Sequence, residues 1–426
     1  MGNCAIVGIN WGDEGKGRMV DLLSSDYDIV MRYQGGNNAG HTVVNEKGKF
    51  ILNLLPSGIL REDTVNVMGP GMVVDVEHLF NEVNKIREGG IEITPEHLKI
   101  SDKATICMPY HKMLDILEED RLADKKFGST RRGIAPVYAD KYYKKSIRMC
   151  DLRHPERLLD KLKDIVEWKN LTIAGGYKHE PVKAEDMYDW LMKYAMPFKD
   201  YLCDTTTYLT EAVKEGKSIM FEAQLGALRD IDFGIFPFTS SSSTIAGYAP
   251  IGAGIPGQKL DNVVGIIKAY SSCVGAGPFT CELFGKDGDD LREAGGEYGA
   301  ATGRPRRVGG FDVLASRYGV LMQGATSLAV TKLDVLSYLK RIPVCTGYVD
   351  KDGKAYDTFP LGVELDEAKP VYEYFDGWNC DISGCRKFEE LPAAAQKYVK
   401  YIEKETGCPV QYVSVGAERD AYIRMF

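Results

Sequence analysis

The first twenty-five residues most constrain what this chain can become. Cys4 to Ile9 (CAIVGI) is a short, unbroken apolar run, the pattern of a strand buried on both faces of a parallel sheet. Gly12-Asp13-Glu14-Gly15-Lys16-Gly17 interrupts it, and Arg18 to Ser25 resumes with apolar residues at helical spacing. Strand, glycine-rich loop and helix in that order make an anion cradle. The glycines let backbone N–H groups turn toward one point, the helix presents the positive end of its dipole, and Lys16 adds a full charge. The loop departs from the common phosphate-loop pattern, whose first glycine would fall at Asn10 and whose metal-holding Ser or Thr would fall at Gly17. A metal ligand must come from elsewhere, and Asp13, a hard oxygen donor, is the candidate. The bland alternative is that Asp13 and Glu14 only favour the start of a helix.

Tyr27 to Tyr33 predicts a second strand, followed by the turn Gln34-Gly35-Gly36-Asn37-Asn38-Ala39-Gly40-His41-Thr42, dense in amides and glycine and holding a lone histidine. A surface hairpin could use such residues for turn chemistry alone. Further strands are expected at Phe50 to Leu55, Val65 to Met68, Ser218 to Glu222, Val263 to Ala269, Ser327 to Thr331 and Pro409 to Val415. Helices are expected at Val76 to Glu88, His111 to Ala123, Asp186 to Asp200, Asp312 to Tyr318 and Leu391 to Glu405. Alternating strand and helix predicts an α/β fold: a large, open, mostly parallel central sheet flanked by helices, phosphate-loop-like, with helical insertions. Ligands of such sheets collect beyond the carboxyl ends of the strands, where the glycine-rich motifs lie.

A chain of 426 residues, 44% hydrophobic and 27% charged, can bury a core without staples. No linker or low-complexity tract divides it, so a single domain over 1–426 is expected, with a helix-rich insertion at about 151–213. The net charge of −8 argues against a nucleic-acid surface, which needs clustered Lys and Arg, and for a small-molecule ligand. Ten cysteines without a CxxC pair read as reduced thiols. Met1 leads into the first strand with no basic leader, and no run approaches the roughly eighteen apolar residues a membrane helix needs. A soluble, cytoplasmic protein is expected.

Two further motifs bear on the ligand. Thr331-Lys332-Leu333-Asp334 follows an apolar run, as in proteins that read guanine. One carboxylate there accepts two N–H bonds from guanine N1 and N2, a pair adenine does not offer, so GTP is expected over ATP. Gly303-Arg304-Pro305-Arg306-Arg307 gathers three guanidiniums beside Ala300, Ala301 and Thr302. Arginine forks match carboxylates and phosphates two bonds at a time, which suits an anionic substrate. The plain alternative is a solvated basic patch.

Together these motifs resemble adenylosuccinate synthetase, in order along nearly the whole chain; the run Trp11 to Gly17 with Gly36 to Thr42 downstream is the specific part. The resemblance implies a cytoplasmic homodimeric ligase of AMP biosynthesis that joins IMP to L-aspartate using GTP and one Mg²⁺ per subunit, through a 6-phosphoryl intermediate. It implies that Asp13 takes the N1 proton of IMP, with Lys16, His41 and Gln224 also catalytic, and that Asp13 and the Gly40 carbonyl hold the metal. GTP would be bound by Gly12, Glu14, Gly15, Gly17, Arg18, Gly40, Thr42, Arg306, Lys332, Leu333, Asp334, Ser414, Val415 and Gly416. IMP would be bound by Asn38, Ala39, Thr130, Lys144, Thr239 and Arg304, and aspartate by Ala300, Ala301, Thr302, Gly303 and Arg304. A residue near Lys144 or Arg148 would complete the partner subunit's IMP site.

The chain departs from the family pattern in places. Asn10 replaces a common Gln, Asn37 a common His, Arg18 a common Lys and Ala417-Glu418 a common Pro-Asp. Phe221-Glu222-Ala223-Gln224-Leu225-Gly226, aligned without a gap, puts Leu225 where the family has its glutamine, and Lys144 stands for an arginine, losing a bidentate grip. Two other readings remain at this point: a GTP-binding switch with no second substrate, and a related ligase for another purine nucleotide or amino acid.

Overall fold

The computed structural model describes residues 2–45, 48–299, 303–418 and 420–426. Its spine is a sheet of ten strands. Cys4–Gly8 lies near the middle, between Ile219–Glu222 and Asn262–Lys268. Beyond the first neighbour come Ile29–Arg32, Val65–Met68, Leu98–Ser101 and Leu202–Cys203; beyond the second come Ser327–Thr331, Val410–Ser414 and Tyr422–Arg424. Every pairing is parallel except the last, where Tyr422–Arg424 returns antiparallel along Val410–Ser414.

The central strand shows why this sequence makes such a sheet. All five of its residues are buried. Cys4 and Ile6 face one way and pack with Met19 and Val20 of the helix Lys16–Leu23. Ala5 and Val7 face the other way and pack with Leu209 and Ala212 of the helix Thr205–Lys214. With helices on both faces no position needs to be polar, which is why the run reads as continuous rather than alternating. Each aliphatic side chain so buried contributes about 1.5–3 kcal/mol, though the extended-chain reference makes that an upper figure.

The expected strand at Phe50 to Leu55 is instead Gly48–Leu52, and it lies outside the sheet in a two-stranded antiparallel hairpin with His41–Asn45. The hairpin packs Val43, Phe50 and Leu52 inward, so its apolar residues mark one face only. The expected helix Asp186 to Asp200 divides: Ala184–Tyr194 is α-helical, and a 3₁₀ stretch over Met196–Tyr201 follows, where Pro197 cannot continue the ladder. The helix expected to end at Tyr318 runs from Val313 to Gln323 and stops at Gly324. Gly319 broke the apolar pattern, and its reason is tertiary: a Cβ there would lie 2.0 Å from the Ile9 carbonyl oxygen.

Within residues 151–213, the helices Pro155–Asn170 and Ala184–Tyr194 share an apolar cluster with the helix Val76–Glu88. Leu202–Cys203 then forms the outer strand of the main sheet. The antiparallel ribbon Arg341–Val349 with Lys369–Asp376, and the helices Ile134–Tyr143 and Gly285–Gly295, carry no strong sequence signal. Among the described residues, no helix is long and apolar enough to cross a membrane.

Asp312 caps the helix Val313–Gln323 by accepting from the Ala315 N–H at 3.0 Å, and it also accepts from the Tyr348 hydroxyl. Burial raises its carboxyl from 3.8 to about 6, only partly opposed by these bonds. The folded state therefore keeps this proton to a higher pH than the unfolded chain does, and stability falls as pH rises from about 4 to about 6. Asp312→Asn retains the capping oxygen and is expected to flatten that part of a Tm-against-pH curve measured by calorimetry. An unchanged slope would show that Asp312 titrates as an ordinary carboxyl.

Candidate active site

The parallel strands deliver their loops to one edge. The phosphate loop follows Cys4–Gly8, the amide-rich turn follows Ile29–Arg32, Gln224 follows Ile219–Glu222, Lys332 to Asp334 follow Ser327–Thr331, and Val415 and Gly416 follow Val410–Ser414.

In the phosphate loop, Gly12 and Gly15 adopt left-handed backbone (φ 97° and 96°), and so does Asp13 (φ 59°). Glu14 turns inward. Its carboxylate accepts from the N–H groups of Asn10 (3.1 Å) and Gly12 (2.7 Å) and pairs with Lys16 Nζ at 2.6 Å. Glu14, expected to bind nucleotide, thus braces the loop from within. The Thr331 hydroxyl ties the loop to the guanine-type motif by donating to the Glu14 carbonyl at 2.6 Å. The first N–H groups of the helix beginning at Lys16 have no intrahelical acceptor, as at any helix start, and Gly15 supplies no side-chain cap.

Arg18, in the first turn of that helix, reaches across to the end of the strand Val410–Ser414 and the residues that follow it. Nη1 donates to Ser414 Oγ (2.9 Å) and the Gly416 carbonyl (2.6 Å), and Nη2 donates to the carbonyls of Glu418 and Ala421. Four acceptors around one guanidinium need its planar fork, which the lysine common at this position does not have.

Gly17 lets the second turn come close: a Cβ there would stand 2.2 Å from His41 Cδ2. His41 Nε2 lies 2.6 Å from Ser57 Oγ, which donates to Glu222 Oε1 at 2.9 Å. Because the hydroxyl proton points at Glu222, Nε2 carries the proton in the histidine contact. Burial lowers the His41 pKa, with Lys16 and Arg32 adding to the effect against the opposing pull of Glu222, so the ring is neutral at pH 7. Donation to a phosphate then requires His41 to leave Ser57 or gain a second proton. Asn38 folds back to accept from the Gly36 N–H (3.2 Å), and the Ala39 carbonyl accepts from the Asn53 amide (3.2 Å). Gly40 is exposed, and Thr42 lies in the hairpin strand.

The Gln224 side chain, not Leu225, meets the amide-rich turn. Its amide donates to the Gly36 carbonyl at 2.7 Å, while its Oε1 is buried without a hydrogen-bond partner. Leu225 takes φ 61° and backs onto Gly12 instead. Thr239 sits in a loop joined to the same turn by Ser242 Oγ, which donates to Gln34 Oε1 at 3.1 Å.

Thr130 is exposed in a segment fastened by Ser129 to Asp115 (2.6 Å) and by the Gly133 N–H to Asp115 (2.8 Å). Ser129, Arg131 and Arg304 line one cavity of about 280 Å³ with Glu119 and Gly275. The structure therefore brings the Thr130 segment and the arginine loop together. Gly303 has φ 64°, and Ala300, Ala301 and Thr302 lie outside the described residues. Arg306 Nε stands 3.0 Å from Asp13 Oδ2. Lys332 (φ 58°) reaches the Gly295 carbonyl, Leu333 is buried, and burial raises the Asp334 carboxyl. Lys144 does not line the cavity; it is the exposed, left-handed C-cap of the helix Ile134–Tyr143, beside Tyr142 and Tyr143 at 78% and 69% exposure. Sequence reasoning missed Ser57, Glu222, Lys268 and Glu297 as neighbours of these groups. Only Glu297, directly before the arginine loop, carried a local hint.

A glycine-rich loop with a lysine and a lysine-aspartate turn gathered on one edge of a parallel sheet have the arrangement of a nucleotide-dependent α/β enzyme. The chain matches the adenylosuccinate synthetase family across residues 5–423. It is 45% identical to the adenylosuccinate synthetase of Pelobacter propionicus over 99% of this chain and 98% of that one, and 45% identical to that of Caldanaerobacter subterraneus over 99% of each. The fully ligated adenylosuccinate synthetase structure from Plasmodium falciparum superposes with a TM-score of 0.93 at 35% identity, covering all of both chains. The succinoaminodeoxyadenylate synthetase of cyanophage S-2L, solved with dGMP and dATP, shares the fold at 18% identity and TM-score 0.62, over 100% of this chain and 96% of that one. The chain belongs to the adenylosuccinate synthetase family, GTP-dependent ligases that form adenylosuccinate from IMP and aspartate.

Gly17→Ala drives a methyl into the His41 ring. Turnover is expected to fall about tenfold to a hundredfold by misplacement alone, with the far-ultraviolet circular dichroism unchanged. Wild-type turnover in a folded Gly17→Ala protein would remove His41 from the chemistry.

Proposed function

We propose that Asp13 is the general base of this ligase and that the reaction passes through a 6-phosphoryl derivative of IMP. The observation that carries the reading is Asp13 itself: a non-glycine residue in left-handed backbone, its side chain 36% exposed and paired with Arg306. Such a conformation costs on the order of 1–3 kcal/mol and concentrates at functional sites.

The chemistry explains the need for a base. The 6-oxygen of hypoxanthine is a poor nucleophile and a worse leaving group. Asp13 takes the N1 proton, the electron pair moves onto O6, and O6 forms a bond to the γ-phosphorus as its bond to the GDP oxygen breaks. The aspartate amine then bonds to C6, phosphate leaves with the C6–O pair, and the amine sheds its proton to solvent. Lys16 and the N–H groups of Gly15 and Gly17 meet the growing phosphate charge, with His41 beside them. Lys332, Leu333 and Asp334 with the Arg18-held turn Ser414 to Gly416 take the guanine; Arg306 contacts the nucleotide. Asn38, Ala39, Thr130, Thr239 and Arg304 take IMP, and the aspartate loop is 300–304. The buried free acceptor of Gln224 supports a hydrogen bond from the substrate in that turn.

Mg²⁺, one per subunit, fits the donor set: the Asp13 carboxylate and Gly40 carbonyl are hard oxygens on exposed loops, and the ion in nucleotide sites takes its other ligands from phosphates and water. When bound it neutralises phosphate charge. Residues 1–426 act as a single domain with an insertion at about 151–213, as a homodimer in which Lys144 or Arg148 completes the partner subunit's IMP site. The exposed Tyr142 and Tyr143 beside Lys144 support that surface. Ten free cysteines among the described residues support a reducing, cytoplasmic setting.

Steady-state GDP release from GTP is expected only when IMP and aspartate are both present, with IMP outpacing GMP and dGMP as acceptor. Asp13→Ala is expected to lower turnover by about a hundredfold to ten-thousandfold while GTP still binds. Release indifferent to IMP, or full activity in that variant, would end the proposal. For the shared site, re-associating equal amounts of inactive Asp13→Ala and Lys144→Ala proteins should recover roughly a quarter of wild-type activity, one intact site in each mixed dimer. No recovery, with mixed dimers shown by mass spectrometry, would place Lys144 in its own subunit's site.

A further inference from the structure

Glu297 is fully buried (0% exposed), yet three cations from three chain segments converge on it. Lys268, at the end of a central strand, donates to Oε1 at 2.7 Å, and Lys332, from the guanine-type motif, stands 3.5 Å from the same oxygen. Arg306 Nη1 donates to Oε2 at 2.9 Å, and the Tyr270 hydroxyl also donates to Oε1. The backbone joins in: the Arg306 N–H donates to the Glu297 carbonyl at 2.9 Å, closing the base of the arginine loop. Arg306 then passes the connection on, its Nε standing 3.0 Å from Asp13.

Burial alone would raise this carboxyl, but the charges of Lys268 and Lys332 with the donated hydrogen bonds hold it at about 2. It is therefore a fixed anion at any working pH. A buried carboxylate satisfied this fully costs much to remove, because the cations it faces are left uncompensated.

We infer that Glu297 is a positioning residue that sets Arg306 against Asp13 and Lys332 at the base-reading turn, so that two cations of the nucleotide site are held by one side chain. The inference rests on the proposed roles of Asp13, Arg306 and Lys332. Glu297 touches no substrate in this scheme. It acts through two cations that both serve the nucleotide, so its loss changes the grip on GTP and leaves the IMP pocket, built from the 34–42 turn and the 126–133 segment, intact.

The test is steady-state kinetics of the full-length Glu297→Gln enzyme with GTP, IMP and aspartate varied in turn, alongside Asp13→Ala. The KM for GTP is expected to rise roughly tenfold or more, while those for IMP and aspartate stay within about twofold. Adding Glu297→Gln to Arg306→Ala should raise the GTP KM less than Glu297→Gln does in wild type, since the two act as a unit. If Glu297→Gln does not fold, Glu297→Asp keeps the charge and shortens the reach, and the same split in KM is expected. A folded variant with all three KM values unchanged, an equal rise in all three, or strict additivity with Arg306→Ala overturns the inference. Failure of Asp13→Ala to lower turnover would instead overturn the reading beneath it.

Discussion

Nine neighbouring parallel strands send their carboxyl ends to the same edge, and the rest of the molecule follows from that. A parallel strand cannot return by a tight hairpin; it needs a crossover, usually a helix, so each strand end becomes a loop entering a helix or turn. Loops at 8–17, 32–42, 222–226, 268–277, 331–338 and 414–418 thereby become neighbours although they span almost the whole chain. The helix starts at this edge add partial positive charge, which suits phosphates.

Carboxylates govern how the cations of this edge are held. The protein is acidic overall, with net charge −8, yet Lys16, Arg306, Lys332 and Lys268 crowd the site. Glu14 holds Lys16 and two backbone N–H groups, Glu297 holds the other three cations, and Glu222 orients Ser57 and through it His41. In a partly dry site an uncompensated cation drifts or loses its proton, so buried anions behind the cations keep both charge and direction. The phosphate loop itself is shaped by its own glutamate rather than by glycine alone.

Several features were legible before any coordinates because their cause is local. Continuous apolar runs identified the central strands, and Gly12 and Gly15 marked a backbone that only glycine adopts easily. Other features were hidden because their cause lies elsewhere in the chain. The Phe50 segment looked like a sheet strand, but its partner is the hairpin arm His41–Asn45. The helix expected to end at Tyr318 continues through Gly319, which packs against the backbone of Ile9. Gln224 and Leu225 could be assigned either way by counting. The backbone decided between them, since the left-handed turn at Leu225 leaves Gln224 facing Gly36.

The sequence by itself pointed to the class of chemistry: a glycine-rich loop with a lysine, a lysine-aspartate turn after a strand and a run of arginines carry groups suited to phosphate, guanine and carboxylate. It determined the parallel sheet as well, because burial on both faces writes an unbroken apolar run. Which charge answers which was decided only by tertiary structure. Ser57 and Glu222 behind His41, Arg18 across to Ser414 and Gly416, and Glu297 beneath Lys332 join residues tens to hundreds of positions apart. Such pairings leave no periodicity or spacing to read, for they arise from the order of strands in the sheet and not from neighbours along the chain.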